Sequence, residues 1–241
     1  MLLNDTLSGT ELAGSPMTIH GMKLLQRAGE NGGIELTKSG FFNRKCVVWA
    51  AEEFQWPEYE PAQLYRMNKV LNEQDFPPLS VMHELMLLGR LIRHRKGFAM
   101  LTPTGKAMLG GFGMLQALLF ETYFTTYDFG SDERFPKYVE HDDFRHFFGV
   151  VANRLDDWVA LSDFAHWCLP IALLPSTLGR PEFEACLHMS SHLVRPLCWL
   201  GLMEEEDAPL RTFIELRRIR KTTLFDRFLH FGDHKRPMVY H

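Results

Sequence analysis

Two stretches of the chain, LGRLIRHRKGFAMLTPTG at 88–105 and LGLMEEEDAPLRTFIELRRIRKTT at 200–223, follow one plan. In each, a helical run ends at a glycine, a short strand leads into a turn, a second strand returns, and a threonine opens the next helix. A unit used twice constrains the fold more tightly than any figure of composition. The copies lie much further apart than the repeat length of a solenoid, so they read as a tandem pair.

The segments before each hairpin follow a common order. Ser15-Pro16 supplies a cap and a first-turn proline for the helix MTIHGMKLLQRAG, which ends at Gly29. GGIELTKSG is a short strand bounded by glycines, and RKCVVWAAEEFQW is a second helix stopped by Pro57. After a mixed insertion at 57–76, Pro77-Pro78 opens a third helix. That helix buries Leu79, Met82, Leu85 and Met86 and exposes Ser80, His83 and Glu84. The strands RLIRHRK and FAMLT then meet at Gly97, and Thr102-Pro103 caps a further helix.

Helix, strand, helix, helix, strand, strand is the order of a winged helix, in which a small sheet closes three helices and its hairpin is the wing. The related helix-turn-helix geometry places one helix in a DNA major groove. The order recurs. HDDFRHFFGVVANRL is a helix, DWVALS a strand, SDFAHWCLP a helix capped by Ser162, and 180–201 a long helix kinked by Pro196. LMEEE and RTFIELRRI make the second hairpin, and KTTLFDRFLHF closes as a helix.

The expected fold is therefore mainly α with small β-hairpins, as tandem winged-helix-like modules joined by helices. Its divisions are a flexible tail at 1–14, a first module at 15–110, a helical connector at 111–139 and a second module at 140–241.

An apolar fraction of 46% and a charged fraction of 23% are those of an ordinary globular protein. The formal net charge of −4 excludes nucleic-acid binding by bulk charge, so such binding requires a local patch. Cys46, Cys168, Cys186 and Cys198 are scattered, with no CxxC pair, and the N-terminus has no secretory pattern. The longest uncharged runs, 107–120 and 167–179, are too short to span a bilayer. The expectation is a cytoplasmic protein with reduced thiols and no membrane partner.

Chemical motifs are sparse. The TPTGK corner has Gly105 and Lys106 where a P-loop needs them, but Met100 replaces its first glycine and Ala107 its hydroxyl. A strand end followed by a capped helix accounts for the same residues. His188 and His192 share a helix face as a zinc pair does, yet Cys186 lies about 200° round the helix from His188 and points away. In EHDDFRHFF, the group Glu140, His141, Asp142, Asp143 and His146 can be read as an acid–base or divalent-ion cluster. Carboxylates at a helix start also complement the helix dipole, with Phe144, Phe147 and Phe148 as the core face. No catalytic residue, metal site or cofactor is assigned, and the chain is read as non-enzymatic.

The runs IELTKSGFF, QDFPPLSVMHELMLLGRLIRHRKGFAMLTPTGKAML and RPLCWLGLMEEE, with IRKTTLFDRF near the end, resemble an uncharacterised bacterial family. The resemblance covers most of residues 20–231. Its motifs are Leu-Thr-x-x-Gly at 36–40 and 101–105, Pro-Pro-Leu before the third helix, and Lys-Thr-x-Leu-Phe-Asp near the C-terminus. Members of the family are associated with plasmid-type open reading frames and other mobile elements. The resemblance implies an architecture and a mobile-element setting, and it transfers no catalytic residue.

The basic clusters remain. Arg90, Arg93, Arg95, Lys96 and Lys106 fall within seventeen residues that hold no acidic side chain. A second set, Arg211, Arg217, Arg218, Arg220 and Lys221, gathers on and after the last strand. On wings, such side chains neutralise phosphates and release counterions. The expected partner is duplex DNA, with a regulatory role. Glu204, Glu205, Glu206 and Asp207 on the second hairpin, and a third helix without Arg or Lys, argue against it. The alternative is a protein-interaction scaffold or homodimer, with the aromatic run LLFETYFTTYDF as its buried surface.

Overall fold

Capping side chains set where several helices begin, and short antiparallel strands close them into two units. The computed structural model describes residues 1–30, 32–129, 138–206 and 212–231. In chain order the elements begin with β1 (Leu2–Leu3), α1 (Pro16–Gly29), β2 (Ile34–Glu35), α2 (Arg44–Phe54) and α3 (Pro61–Met67). There follow α4 (Pro77–Leu88), β3 (Ile92–Arg95), β4 (Phe98–Leu101), α5 (Pro103–Met108) and α6 (Phe112–Thr125). The remainder comprises α7 (Phe144–Arg154), β5 (Val159–Ala160), α8 (Leu161–Cys168), α9 (Pro181–Met189) and α10 (Arg195–Trp199). The last elements are β6 (Met203–Glu205), β7 (Arg218–Lys221), α11 (Thr223–Phe228) and β8 (Leu229–His230). The chain is mainly helical with small antiparallel sheets.

One compact unit is residues 5–129; the other is residues 1–4 with 130–241. In the first, Ser15 caps α1 and its hydroxyl donates to Gln116 Oε1 at 2.8 Å, where the Thr18 hydroxyl also donates. All three side chains are fully buried, so this small network locks the start of α1 onto α6. Asn43 caps α2 by accepting from the Cys46 N–H at 3.0 Å. Leu79, Met82, Leu85 and Met86 of α4 face inward, as their spacing predicts. The sheet has the order β2-β4-β3.

Two expectations about boundaries differ from the structure. The connector begins with α6, which buries Leu115, Leu119 and Phe120 in the core of the first unit instead of leading out of it. The tail at 1–14 is packed as well. Leu7 and Leu12 are buried, and Asp5 O lies so close to α6 that a Cβ on Gly113 would meet it at 2.3 Å. Two leucines among small polar residues suffice to anchor such a segment, a signal too sparse to show a periodicity.

In the second unit β1 pairs with β8, and the three-stranded sheet has the order β5-β7-β6. Where a helix kinked at Pro196 was expected, the chain widens into a π-helical turn over Ser190–Val194 before α10. Proline has no N–H and crowds the carbonyl four residues back; a wider turn absorbs both. Residues 214–216 form a 3-10 turn instead of strand, and 229–230 leave α11 to pair with β1.

The two hairpins share their bonding. Leu91 N donates to Met86 O at 2.8 Å, and Leu202 N to Leu197 O at 2.8 Å. Thr102 N donates to Leu91 O and Thr222 N to Leu202 O, both at 3.0 Å. The Thr102 hydroxyl donates to Arg90 O and the Thr222 hydroxyl to Gly201 O, both at 2.6 Å. Arg90 and Gly201 occupy the same left-handed step, at φ 55° and 71°. Arg90 therefore corresponds to Gly201, and Arg93-His94-Arg95 to Glu204-Glu205-Glu206.

Glu184, fully buried on α9, closes the loop before it. Its carboxylate accepts from Ser176 Oγ, Leu178 N, Thr177 N and Tyr138 Oη. Burial pushes the carboxyl up, but these donors outweigh it and leave it at about 2. Its stabilising contribution is thus complete above the unfolded value of 4.5 and lost as pH falls from there towards 2. Urea unfolding midpoints are expected to drop across that window, and to drop less in Glu184→Gln. A Cβ on Gly105 would meet Leu91 O at 2.1 Å. Gly105→Ala is accordingly expected to lower unfolding free energy in urea by about 1–3 kcal/mol.

Candidate nucleic-acid interface

The hairpin β3–β4 turns at Lys96 and Gly97, both at positive φ (52° and 79°), which is the conformation a two-residue turn needs to match strand twist. Its register sets Arg93 opposite Met100 and Arg95 opposite Phe98. The pleat therefore puts Arg93 and Arg95 on one face and Ile92 and His94 on the other. Arg90, Arg93, Arg95, Lys96 and Lys106 are all exposed, and among the described residues none of them forms an ion pair.

The TPTGK corner is a helix cap. Thr102 Oγ1 accepts from Gly105 N at 3.0 Å while donating to carbonyls 90 and 91, and Gly105 gives room for the Leu91 carbonyl. Three more cations escaped the sequence reading: Lys38, Arg44 and Lys45, all exposed. Leu36 N donates to Gly97 O at 2.8 Å and Asn43 N to Glu35 O at 3.1 Å. These bonds set the 37–41 loop beside the hairpin turn and start α2 on the same sheet edge. The clue was Lys-Ser-Gly following a strand and preceding an asparagine cap.

On the second hairpin the basic residues of the other cluster have carboxylate partners. Arg217 pairs with Glu205 at 3.0 Å, Arg218 with Glu206 at 3.2 Å, and Arg220 with Glu204, its direct neighbour across the strands. Arg220 also lies over the Trp158 ring at 4.5 Å. Lys221 pairs with Asp226 at 2.9 Å and Asp156 at 3.1 Å and donates to Ala152 O. Burial opposes its charge, but these carboxylates win and raise its pKa. The exposed arginine pairs add little stability; their effect here is to offset the charge expected to meet phosphate. The acidic run and the basic run were read separately, and antiparallel pairing lays one along the other. Arg211 lies outside the described residues.

His83, expected on the exposed face of α4, is buried. Its Nδ1 is 2.8 Å from Glu73 Oε1, and its Nε2 is 2.9 Å from Nε2 of His94. Glu73 is buried too, and its second oxygen accepts the Phe42 N–H. Phe42 stacks on the His83 ring at 3.8 Å. A hydrogen-bonded chain thus runs from a buried carboxylate to an exposed histidine between Arg93 and Arg95. Burial and the His83 ring hold the His94 imidazole below the usual histidine range, with Glu73 pulling the other way. Ser80 is half-buried, and of the three only Glu84 is exposed.

The other clusters stay structural in their geometry. Asp143 accepts from Glu140 N at 3.0 Å within a reciprocal cap at the start of α7, and Phe144, Phe147 and Phe148 are buried. His188 and His192 have ring centroids 5.4 Å apart, and burial, then His188 and Arg195, lower His192 to about 4. Among the described residues, no group of three or more His, Cys, Asp or Glu side chains is placed to hold a metal. No helix among them is long and apolar enough to cross a membrane.

Residues 13–113 match the family model described as the Y4jL N-terminal domain. That span contains every residue of the basic hairpin. Over 78 residues the chain is 47% identical to "Uncharacterized protein y4jL" of Sinorhizobium fredii (strain NBRC 101917 / NGR234). The match covers 32% of this chain and 36% of that relative, so the chain spans about a third of its length. The N-terminal half is thus similar to an uncharacterised bacterial family. No solved structure matches the chain.

The Glu73–His83 pair carries a stability consequence. Glu73→Ala leaves His83 buried beside an empty acceptor site and the Phe42 N–H without its carboxylate. Equilibrium urea unfolding is expected to show a loss of about 3–5 kcal/mol.

Proposed function

We propose that the chain is a non-enzymatic, winged-helix-like protein that binds duplex nucleic acid through the phosphate backbone. In this reading β3–β4 is the wing and the contact surface is Arg90, Arg93, Arg95, Lys96 and Lys106, joined by Lys38, Arg44 and Lys45. The observation that carries it is the contrast between equivalent hairpins. The second neutralises its cations with Glu204, Glu205 and Glu206, whereas the first leaves five exposed with no acidic partner among the described residues. Uncompensated cations on a protruding hairpin have a role in neutralising phosphates that compensated ones do not. The element order and the sheet orders β2-β4-β3 and β5-β7-β6 support the modules as winged helices. A regulatory role on a mobile element extends the same reading.

On this proposal α4 does not read bases. It carries no Arg, Lys, Asn or Gln, the side chains that make the bidentate contacts to purine edges, and its exposed side chains include Glu84 and Leu88. Binding is therefore expected to be backbone-directed and weakly sequence-dependent.

A salt titration of duplex binding tests this. The triple variant Arg93→Ala, Arg95→Ala, Lys96→Ala is expected to reduce the slope of log affinity against log salt by about 2.7. The double variant Arg217→Ala, Arg218→Ala is expected to retain the wild-type slope. An unchanged slope in the triple variant overturns the proposal. The protein-partner alternative has exposed Leu173, Leu178, Phe213 and Leu216 of the second unit in its favour, and it predicts no duplex binding at any salt.

A further inference from the structure

The chain Glu73–His83–His94 has a proton requirement that its geometry makes explicit. Ionised Glu73 only accepts, so His83 Nδ1 carries the proton of the first bond. The second bond joins two ring nitrogens, His83 Nε2 and His94 Nε2, and needs one proton between them. Two arrangements with His94 neutral satisfy both bonds. In one, His94 Nε2–H donates to neutral His83, the remaining nitrogen of His94 is a bare acceptor, and the trio has a net charge of −1. In the other, His83 is an imidazolium that donates at both nitrogens, His94 Nδ1 carries a hydrogen, and the net charge is 0. The arrangements differ by one proton, and neither breaks a hydrogen bond.

The path between them is short. A proton from solvent adds to Nδ1 of the exposed His94, and the hydrogen on His94 Nε2 moves across the 2.9 Å bond to His83 Nε2. The positive charge then sits on His83 against the Glu73 carboxylate, and the surface nitrogen has turned from acceptor to donor. The groups facing His94 are few. They are His83 from α4, Glu73 from the turn before it, Ala99 opposite on β4 and Gly40 in the 37–41 loop, with Arg93 and Arg95 next to it along β3; behind them Glu84 of α4 interacts with His83 and Cys46 of α2 with Glu73. Burial and the His83 ring resist the extra proton on His94 while Glu73 favours it, and an anion bound to the neighbouring Arg93 and Arg95 adds to the favourable side.

Resting on the reading of β3–β4 as a phosphate contact, we infer that the hairpin takes up one proton with the phosphate backbone, and that Glu73, His83 and His94 hold it. Each partner strengthens the other: phosphate raises the proton affinity of the trio, and the proton, held on His83, removes a unit of negative net charge behind the strand that carries Arg93 and Arg95. His94 and its two supports act by positioning and by charge, with no bond made or broken in the ligand.

The test is the pH dependence of binding to a short mixed-sequence duplex at fixed salt, between about pH 5 and pH 8. Wild-type affinity is expected to rise as pH falls, by up to about tenfold per unit where the linkage is complete. His94→Gln, an exposed and sterically mild change, is expected to flatten this dependence while keeping the high-pH affinity. Binding without pH dependence, or with the same dependence in His94→Gln, overturns the inference and leaves the hairpin reading intact. Absence of duplex binding at every pH overturns both.

Discussion

The hydroxyl of one threonine at the foot of each hairpin fixes most of what the molecule presents to its surroundings. Thr102 donates to the carbonyls of residues 90 and 91, accepts from Gly105, and lends its own N–H to Leu91. In one residue it ends a strand, starts a helix and clamps the left-handed step that leaves α4. Thr222 makes the corresponding bonds to residues 201 and 202. Because a two-stranded hairpin is barely stable by itself, its direction is dictated by such a foot. The placement of Arg93, His94 and Arg95 is a consequence of that junction more than of the strands.

With the backbone held in common, the two copies diverge in charge. Replacing Arg93-His94-Arg95 by Glu204-Glu205-Glu206 changes one strand, and replacing Phe98 and Met100 by Arg218 and Arg220 changes its neighbour to match. The second hairpin is a closed electrostatic system. The first sets basic residues against apolar ones across the ladder, so its charges have no cross-strand partners.

Much of the architecture was legible because it rests on local rules. Ser15-Pro16, Asn43 and Thr102 cap the helices they open, and Leu79, Met82, Leu85 and Met86 show the α4 core face by spacing alone. What failed was long-range. Glu73, His83 and His94 lie on a turn, a helix and a strand, so no single period relates them. On a helical wheel His83 looked like a surface residue, because nothing in its own helix announces the carboxylate that draws it inward. The ion pairs of Arg217, Arg218 and Arg220 were hidden for the opposite reason. Each charge was visible, but register decides which charges meet.

The π-helical turn at Ser190–Val194 has a bearing on how this region can vary. It holds one more residue than a regular turn would, and in a helix each residue carries about 100° of rotation. Removing a single residue there to restore a uniform helix would swing α10 round its axis relative to α9. Gly201 and β6 follow directly, so the acidic strand would lose its alignment with Arg218 and Arg220. The charge balance of the second hairpin is thus hostage to the count of residues in one irregular turn more than ten positions upstream. Exchanging side chains on β6 and β7 in matched pairs would preserve that balance; shortening the helix that delivers them would not.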